Sequence, residues 1–167
     1  TGTWRPYRLN IPGETFGNVH YGINYLNNPD VYDLGDRVVV IGAGNAAMDV
    51  ARTAIRKGSR YVTVYSVTEV PAASPKEVEY ARIDGVEFEF LQTASRITDD
   101  GVMICDVEWD ENGQMVKHEE TERFVPADSI IISISQGPQD RIVNRDKELK
   151  VDERGLLKTN DKGETTM

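Results

Sequence analysis

Apolar positions along this chain change period several times, and each change marks an element. Arg37 to Ile41 is a short continuous apolar run, the pattern of a strand buried on both faces in a parallel sheet. After it, Ala47, Val50, Ala51 and Ala54 recur at helical spacing and form one apolar stripe. Lys57 and Gly58 supply a cationic last turn and a left-handed cap. Tyr61 to Tyr65 is rich in β-formers and reads as the second strand. Ser74, Pro75 and Glu77 then form a capping box with proline at the first helical position, opening a helix that runs to about Asp84 and stops at Gly85. Val86 to Phe90 alternates strictly, as a strand with one wet face does. From Ala94 to Val125 the period stays near two, broken at Asp99-Asp100-Gly101 and at Asn112-Gly113, which predicts a three-stranded antiparallel meander. Ser129 to Ile134 is another buried strand, followed by Gln136-Gly137-Pro138 as a turn.

Before Asp36 the pattern is weaker. Thr1 to Gly17 reads as extended linker, with a short helix around Tyr21 to Leu26. The order strand, helix, strand, helix, strand, then meander, then returning strand predicts an α/β fold: a Rossmann-like doubly wound parallel sheet with an antiparallel β-meander insert. Residues 1–35 are expected to be a linker or crossover, 36–152 the nucleotide-binding domain, and 153–167 a return segment.

Composition adds a few exclusions. In 167 residues, 39% are hydrophobic and 28% charged, as in a globular domain. No apolar run approaches the roughly 20 residues that span a bilayer, so no membrane role is expected. A net charge of −9 weighs against nucleic acid as a partner. Cys105 is the single cysteine, which excludes an internal disulfide and a redox dithiol and leaves a reducing, cytoplasmic setting as the expectation. The chain opens on Thr1 rather than Met, so it is expected to be a fragment of a longer protein.

Candidate chemistry gathers at Gly42-Ala43-Gly44-Asn45-Ala46-Ala47, between the first buried strand and the first helix. A dinucleotide fingerprint needs these residue types in this order. The first glycine permits the tight turn, the second lets the main chain approach a pyrophosphate, and the small third residue lets helix and strand pack closely. The helix N-terminus then offers unpaired N–H groups and partial positive charge to the phosphates. Gly42, Gly44, Asn45 and Ala46 are therefore the candidate pyrophosphate ligands, and Tyr65 with Ser66, at the end of the second strand, the candidates for the adenosine ribose. An acid at that strand end favours NAD and an arginine NADP; Val64-Tyr65-Ser66-Val67-Thr68-Glu69 has neither there, so NAD or NADP stays open, with Glu69 favouring NAD if its loop folds back. Arg52, Arg56 and Lys57 lie toward the far end of the helix and read as a solvated face.

The stretch from Val38 to Gly85 resembles the NAD(P)H-binding domain of the glutamate synthase small (beta) subunit family of FAD-dependent oxidoreductases, in the pyridine nucleotide-disulfide oxidoreductase superfamily. The residues that carry the resemblance are Gly42 to Arg52, Val62 to Tyr65, Glu69 to Ala72, Glu77 to Ala81 and Asp84 to Phe88. Thr1 to Pro6, Ile11 to Glu14, Ala127 to Ile131 and Val151 to Gly155 look like the crossovers to and from a flavin domain. The resemblance implies hydride transfer from NAD(P)H to FAD, a flavin domain in the same parent chain, and onward electron transfer through modules such as iron–sulfur clusters. The family's flavin motifs are missing here, so FAD is expected only in a full-length parent, with this stretch inactive alone. Two departures stand out: Ser66 and Val67 replace paired arginines, and Ser135 replaces a glycine beside the nicotinamide site.

Other groups carry less. Cys105 reads as a small core residue, and His20 and His118 lack metal-ligand spacing. Trp109 and Phe124 are expected to pair across the meander as core; Glu119, Glu120 and Glu122 read as its wet face, and Asp49 as either a cleft residue or an exposed helical acid. The competing reading is a degenerate Rossmann-type interaction or regulatory module without turnover.

Overall fold

In a computed structural model, residues 3–137, 150–153 and 155–165 are described. In chain order the elements are β1 (Arg5–Pro6), β2 (Val19–Tyr21), α1 (Gly22–Asn27), β3 (Arg37–Ile41), α2 (Asn45–Arg56), β4 (Tyr61–Ser66), α3 (Pro75–Ile83), β5 (Glu87–Phe90), β6 (Gln92–Thr98), β7 (Gly101–Trp109), β8 (Met115–Pro126), β9 (Ser129–Ile132) and β10 (Gln136–Gly137). They fall into two compact units, Arg8–Ser135 and the two outer segments Thr1–Tyr7 with Gln136–Met167.

The larger unit has three layers. A parallel sheet in the order β2-β9-β3-β4-β5 forms the middle. Side chains alternate across it because successive residues of a strand point to opposite faces. Val38 and Val40 of β3, Val62 and Val64 of β4 and Ile131 of β9 meet Tyr25, Met48, Ala51 and Ala81 on the helical side. Val39, Ile41 and Ile130 meet Ala94, Ile97, Val102 and Ile104 of the β6-β7-β8 meander on the other. Double coverage explains why β3 and β9 read as unbroken apolar runs. The predicted stripe on α2 is buried in full: Ala47, Val50, Ala51 and Ala54 are all inaccessible, and their small size lets the helix sit close to the sheet.

Both main helices end in the same device. Gly58 N–H donates to Ile55 and Ser59 N–H to Ala54; Gly85 N–H donates to Arg82 and Val86 N–H to Ala81. Each pair of bonds is a Schellman motif that satisfies the last free carbonyls. Cys105 is buried in β7, as its position suggested.

Four expectations need correction. Val19–Tyr21, placed in the weakly patterned N-terminal stretch, is one of the two edge strands of the sheet; three residues are too few for an alternation to show, and the partner is β9. Arg52 is not a solvated cation: it bonds Asp84 at 2.8 Å and Glu77 at 3.2 Å, and Arg56, which does stay exposed, bonds Asp84 at 3.1 Å, so that both tie α2 to α3. Trp109 and Phe124 do not pair: they stand at opposite ends of the β7–β8 pair, Trp109 opposite Met115 and Phe124 opposite Met103, with both aromatics well exposed. Gln136 and Gly137 form β10, which pairs antiparallel with β1 inside the smaller unit. Pro138, Arg154 and the first two residues, which entered the sequence reading, lie outside the described residues.

Arg52, then Arg56, hold the Asp84 carboxyl below the ordinary aspartate range. Its contribution to stability is therefore complete above the unfolded-state pKa and lost as pH falls through the lower folded-state value. We expect Asp84→Asn to be less stable than the parent chain at pH 7 in urea titrations, with the gap closing below about pH 4; a gap independent of pH would show that the ion pairs do not contribute.

Candidate functional site

The strand order places a topological switch beside β3. From β3 the chain steps to β4 and β5 on one side, and later returns to β9 on the other. Crevices form at such points, beyond the carboxyl ends of the two strands. Here those ends are residues 42–46 after β3 and 133–135 after β9.

Gly42 is held by its neighbours on both sides. Its N–H donates to the Tyr65 carbonyl at 3.0 Å, and the next ladder bond runs from Ser133 N–H to the Ile41 carbonyl at 2.8 Å. With φ at +117°, it occupies a conformation that side chains rarely adopt, and a Cβ there would lie 2.2 Å from the Ser133 carbonyl oxygen. The fold itself demands this glycine.

Gly44 differs in every respect. It is the N-cap of α2, with φ −83° and ψ 177°, which any residue can adopt. A Cβ built on it would meet nothing within 4 Å. Ser, Thr, Asp or Asn would cap the helix, yet no side-chain cap is present. Among the described residues, the N–H groups of Gly44, Asn45 and Ala46 have no acceptor. These are the orphan donors of a helix start, at the positive end of a 12-residue helix.

Asn45 has a task that the sequence did not reveal. Its Oδ1 accepts the Ser74 N–H at 2.8 Å, while Ala73 N–H donates to the Ala43 carbonyl at 2.9 Å. The capping box expected at α3 is therefore only half formed. Ser74 Oγ accepts the Glu77 N–H at 3.4 Å, but the reciprocal bond to Ser74 N–H comes from Asn45, and Glu77 turns to Arg52 instead. The starts of α2 and α3 are laced together by these bonds.

At the end of β4 the predicted side chains turn inward. Tyr65 packs among Val39, Ile41 and Ile104 in the core against the meander; burial pushes its phenol pKa up, against the pull of Arg123. Ser66 is 2% exposed, and its hydroxyl oxygen accepts the Thr68 N–H at 3.2 Å and lies 3.1 Å from Thr68 Oγ1. Thr68 and Glu69 make the surface of this corner. Trp109, from the meander hairpin, reaches the same loop, its Nε1–H donating to the Val67 carbonyl at 2.7 Å. Nothing in its strand period pointed to that contact. Across the switch, Ser135 is exposed and has φ +100°.

Comparisons with known proteins show the family and the fold. The family model for pyridine nucleotide-disulphide oxidoreductases matches residues 1–167. The glutamate synthase [NADPH] small chain of Halomonas elongata is 34% identical over 187 residues, spanning 97% of this chain and 39% of that one. A protein of Escherichia coli (strain K12), YgfK, is 34% identical over 180 residues, spanning 100% of this chain and 17% of that one. The crystal structure of T. acidophilum thioredoxin reductase shares the fold, with a TM-score of 0.78 at 21% identity over 100% of this chain and 52% of that one. The chain thus spans well under two thirds of each.

The two unusual backbone positions should respond in opposite ways. Gly42→Ala must displace a main-chain carbonyl and is expected to destabilise the fold by about 3 kcal/mol or more. Ser135→Gly relieves a conformation costing about 1–3 kcal/mol while adding less than about 1 kcal/mol of unfolded-chain freedom, so it should stabilise by roughly 1 kcal/mol. Denaturant midpoints check both; a destabilised Ser135→Gly would show that the serine is not strained.

Proposed function

The chain belongs to the pyridine nucleotide-disulphide oxidoreductase family, and from that premise we propose that it binds a nicotinamide dinucleotide at the turn after β3 and, within a longer protein, presents it to a flavin. The observation that carries this reading is the open space at Gly44. The fold does not need a glycine there, and helix capping would favour another residue, so the missing side chain is accounted for by a ligand. The free amides of Gly44, Asn45 and Ala46 suit a pyrophosphate, which carries its negative charge to the positive end of α2. Asn45 contributes twice, through its main-chain N–H and by fixing the loop that borders the site.

A bound dinucleotide supplies the hydride; the chain's residues bind and orient it, and none is required as an acid or base. The flavin, and electron-transfer modules such as iron–sulfur clusters, belong on this reading to parts of the parent protein other than this chain. On this reading the segment Thr1–Tyr7 and the residues from 153 onward serve as crossovers to such a flavin domain, with the dinucleotide domain between them in the chain. The alternative of a domain that has lost its ligand draws on Ser135, whose strained backbone stands beside the nicotinamide end.

We expect Gly44→Asp to keep the thermal midpoint of the parent chain, because Asp caps a helix better than Gly by about a few tenths of a kcal/mol. Calorimetry should at the same time register no binding of NADH, NADPH or ADP-ribose, all of which bind the parent. Silence from the parent chain at millimolar nucleotide would favour the ligand-free module; a large loss of stability in Gly44→Asp would remove the reason given for the glycine.

Nicotinamide preference follows from charge. Between Ser66 and Ser74 the chain has one acid, Glu69, and no lysine or arginine. Arg52 is engaged by Glu77 and Asp84. A ribose 2′-hydroxyl therefore suits this corner better than a 2′-phosphate, although the Halomonas relative is named for NADPH. Val67→Arg should raise the NADPH-to-NADH affinity ratio roughly tenfold, the value of one charge-assisted bond. An unchanged ratio would place the 2′ position elsewhere.

A further inference from the structure

The geometry points to Trp109 as a platform on which the adenine of the dinucleotide stacks, which rests on the dinucleotide site proposed above and assigns the residue that takes its base. Trp109 ends β7, at the tip of a hairpin that belongs to the meander and not to the nucleotide-binding strands. Its indole N–H is committed, at 2.7 Å, to the carbonyl of Val67, the first residue after β4. That bond fixes the polar edge of the ring and leaves the side chain 43% exposed. Its cross-strand partner, Met115, is itself 38% exposed.

Position supports the assignment. Tyr65 receives the Gly42 N–H, and Val67 lies two residues further along, roughly 7 Å in extended chain. A ribose bridges about that distance between a phosphate and its base. The loop from Val67 to Ser74 contains no aromatic residue, and its one charged group is Glu69. The loop's exposed Val70 offers only an aliphatic contact and cannot stack on a flat base. An anchored indole beside it can, because stacking needs only a π-face. Trp109 shares the face of β7 that carries buried Val107, yet it stands at the hairpin end, where it stays well exposed.

The chain has two tryptophans, Trp4 and Trp109, so Trp4→Phe leaves Trp109 as the sole indole emitter. In that variant, emission titrations with NADH, ADP and nicotinamide mononucleotide are run beside calorimetry of the same samples. NADH and ADP should quench Trp109, and nicotinamide mononucleotide should not. Trp109→Ala should weaken ADP binding roughly tenfold, while Trp109→Phe, which keeps a ring face and loses the N–H, should stay within about threefold of the parent chain. Thermal midpoints of each variant separate lost binding from lost folding. Heat of binding without any change in Trp109 emission overturns the platform and leaves the dinucleotide site intact. So does Trp109→Ala binding ADP as the parent does, or Trp109→Phe binding as weakly as Trp109→Ala. No heat with any of the three nucleotides overturns the site and the platform together.

Discussion

A main-chain carbonyl and a side chain cannot fill the same space, and the switch beside β3 is built on that exclusion. The Ser133 carbonyl stands where a Cβ of residue 42 would be. With glycine there, β3 and β9 keep their register to their ends, closing with the bond from Ser133 to Ile41. The chain then leaves the sheet within one residue and begins α2 at Asn45. A side chain at 42 would force the turn outward and carry the start of α2 with it. The stripe from Ala47 to Ala54 would no longer lie over Val38, Val40 and Ile131, and the packing on that face would suffer with the site. One steric fact therefore couples core packing to the geometry of the helix start.

Polar ties then set α2 and α3 relative to each other. At their N-terminal ends the ties are short-range and mostly main chain, from Ala73 to Ala43 and from Ser74 to Asn45. Toward the far end they are ionic, through Arg52, Arg56 and Asp84. Ion pairs with this much solvent access contribute little to net stability, on the order of 0–1 kcal/mol. Their value lies in register, since the two helix starts must stay side by side for the loop between them to border one crevice.

Much of this was legible in the chain because its causes are local. The apolar run at Arg37, the stripe on α2, the caps at Gly58 and Gly85 and the turn at Asn112-Gly113 each rest on residues within one element or its boundary, and each element formed where expected. What was missed depends on distance or on register. The acceptor for Ser74 N–H lies 29 residues away, so the capping box looked complete without it. Asp84 is 32 residues from Arg52, and a helical cation without a visible partner reads as solvated. The register of β7 on β8, which no local pattern states, sets Trp109 and Phe124 at opposite ends of the strand pair. At Tyr65 and Ser66 the position in the strand was right, but the apolar demand of the meander layer took the phenol, and a local turn took the hydroxyl.

The division between main-chain and side-chain recognition bears on how such a site can change. On the proposed reading, the pyrophosphate is held by amides whose direction the helix sets, and any sequence that keeps Gly42, Gly44 and the α2 stripe keeps them. The adenosine corner is different. Ser66 to Ser74 sits outside both cores apart from Ser66 and Ala73, and its surface is made of side chains such as Thr68 and Glu69. Substitutions there alter charge without disturbing the sheet. Cofactor preference is thus the property that the fold constrains least, and phosphate binding the one it constrains most. On that reading, a serine and a valine at 66 and 67 are what that freedom permits.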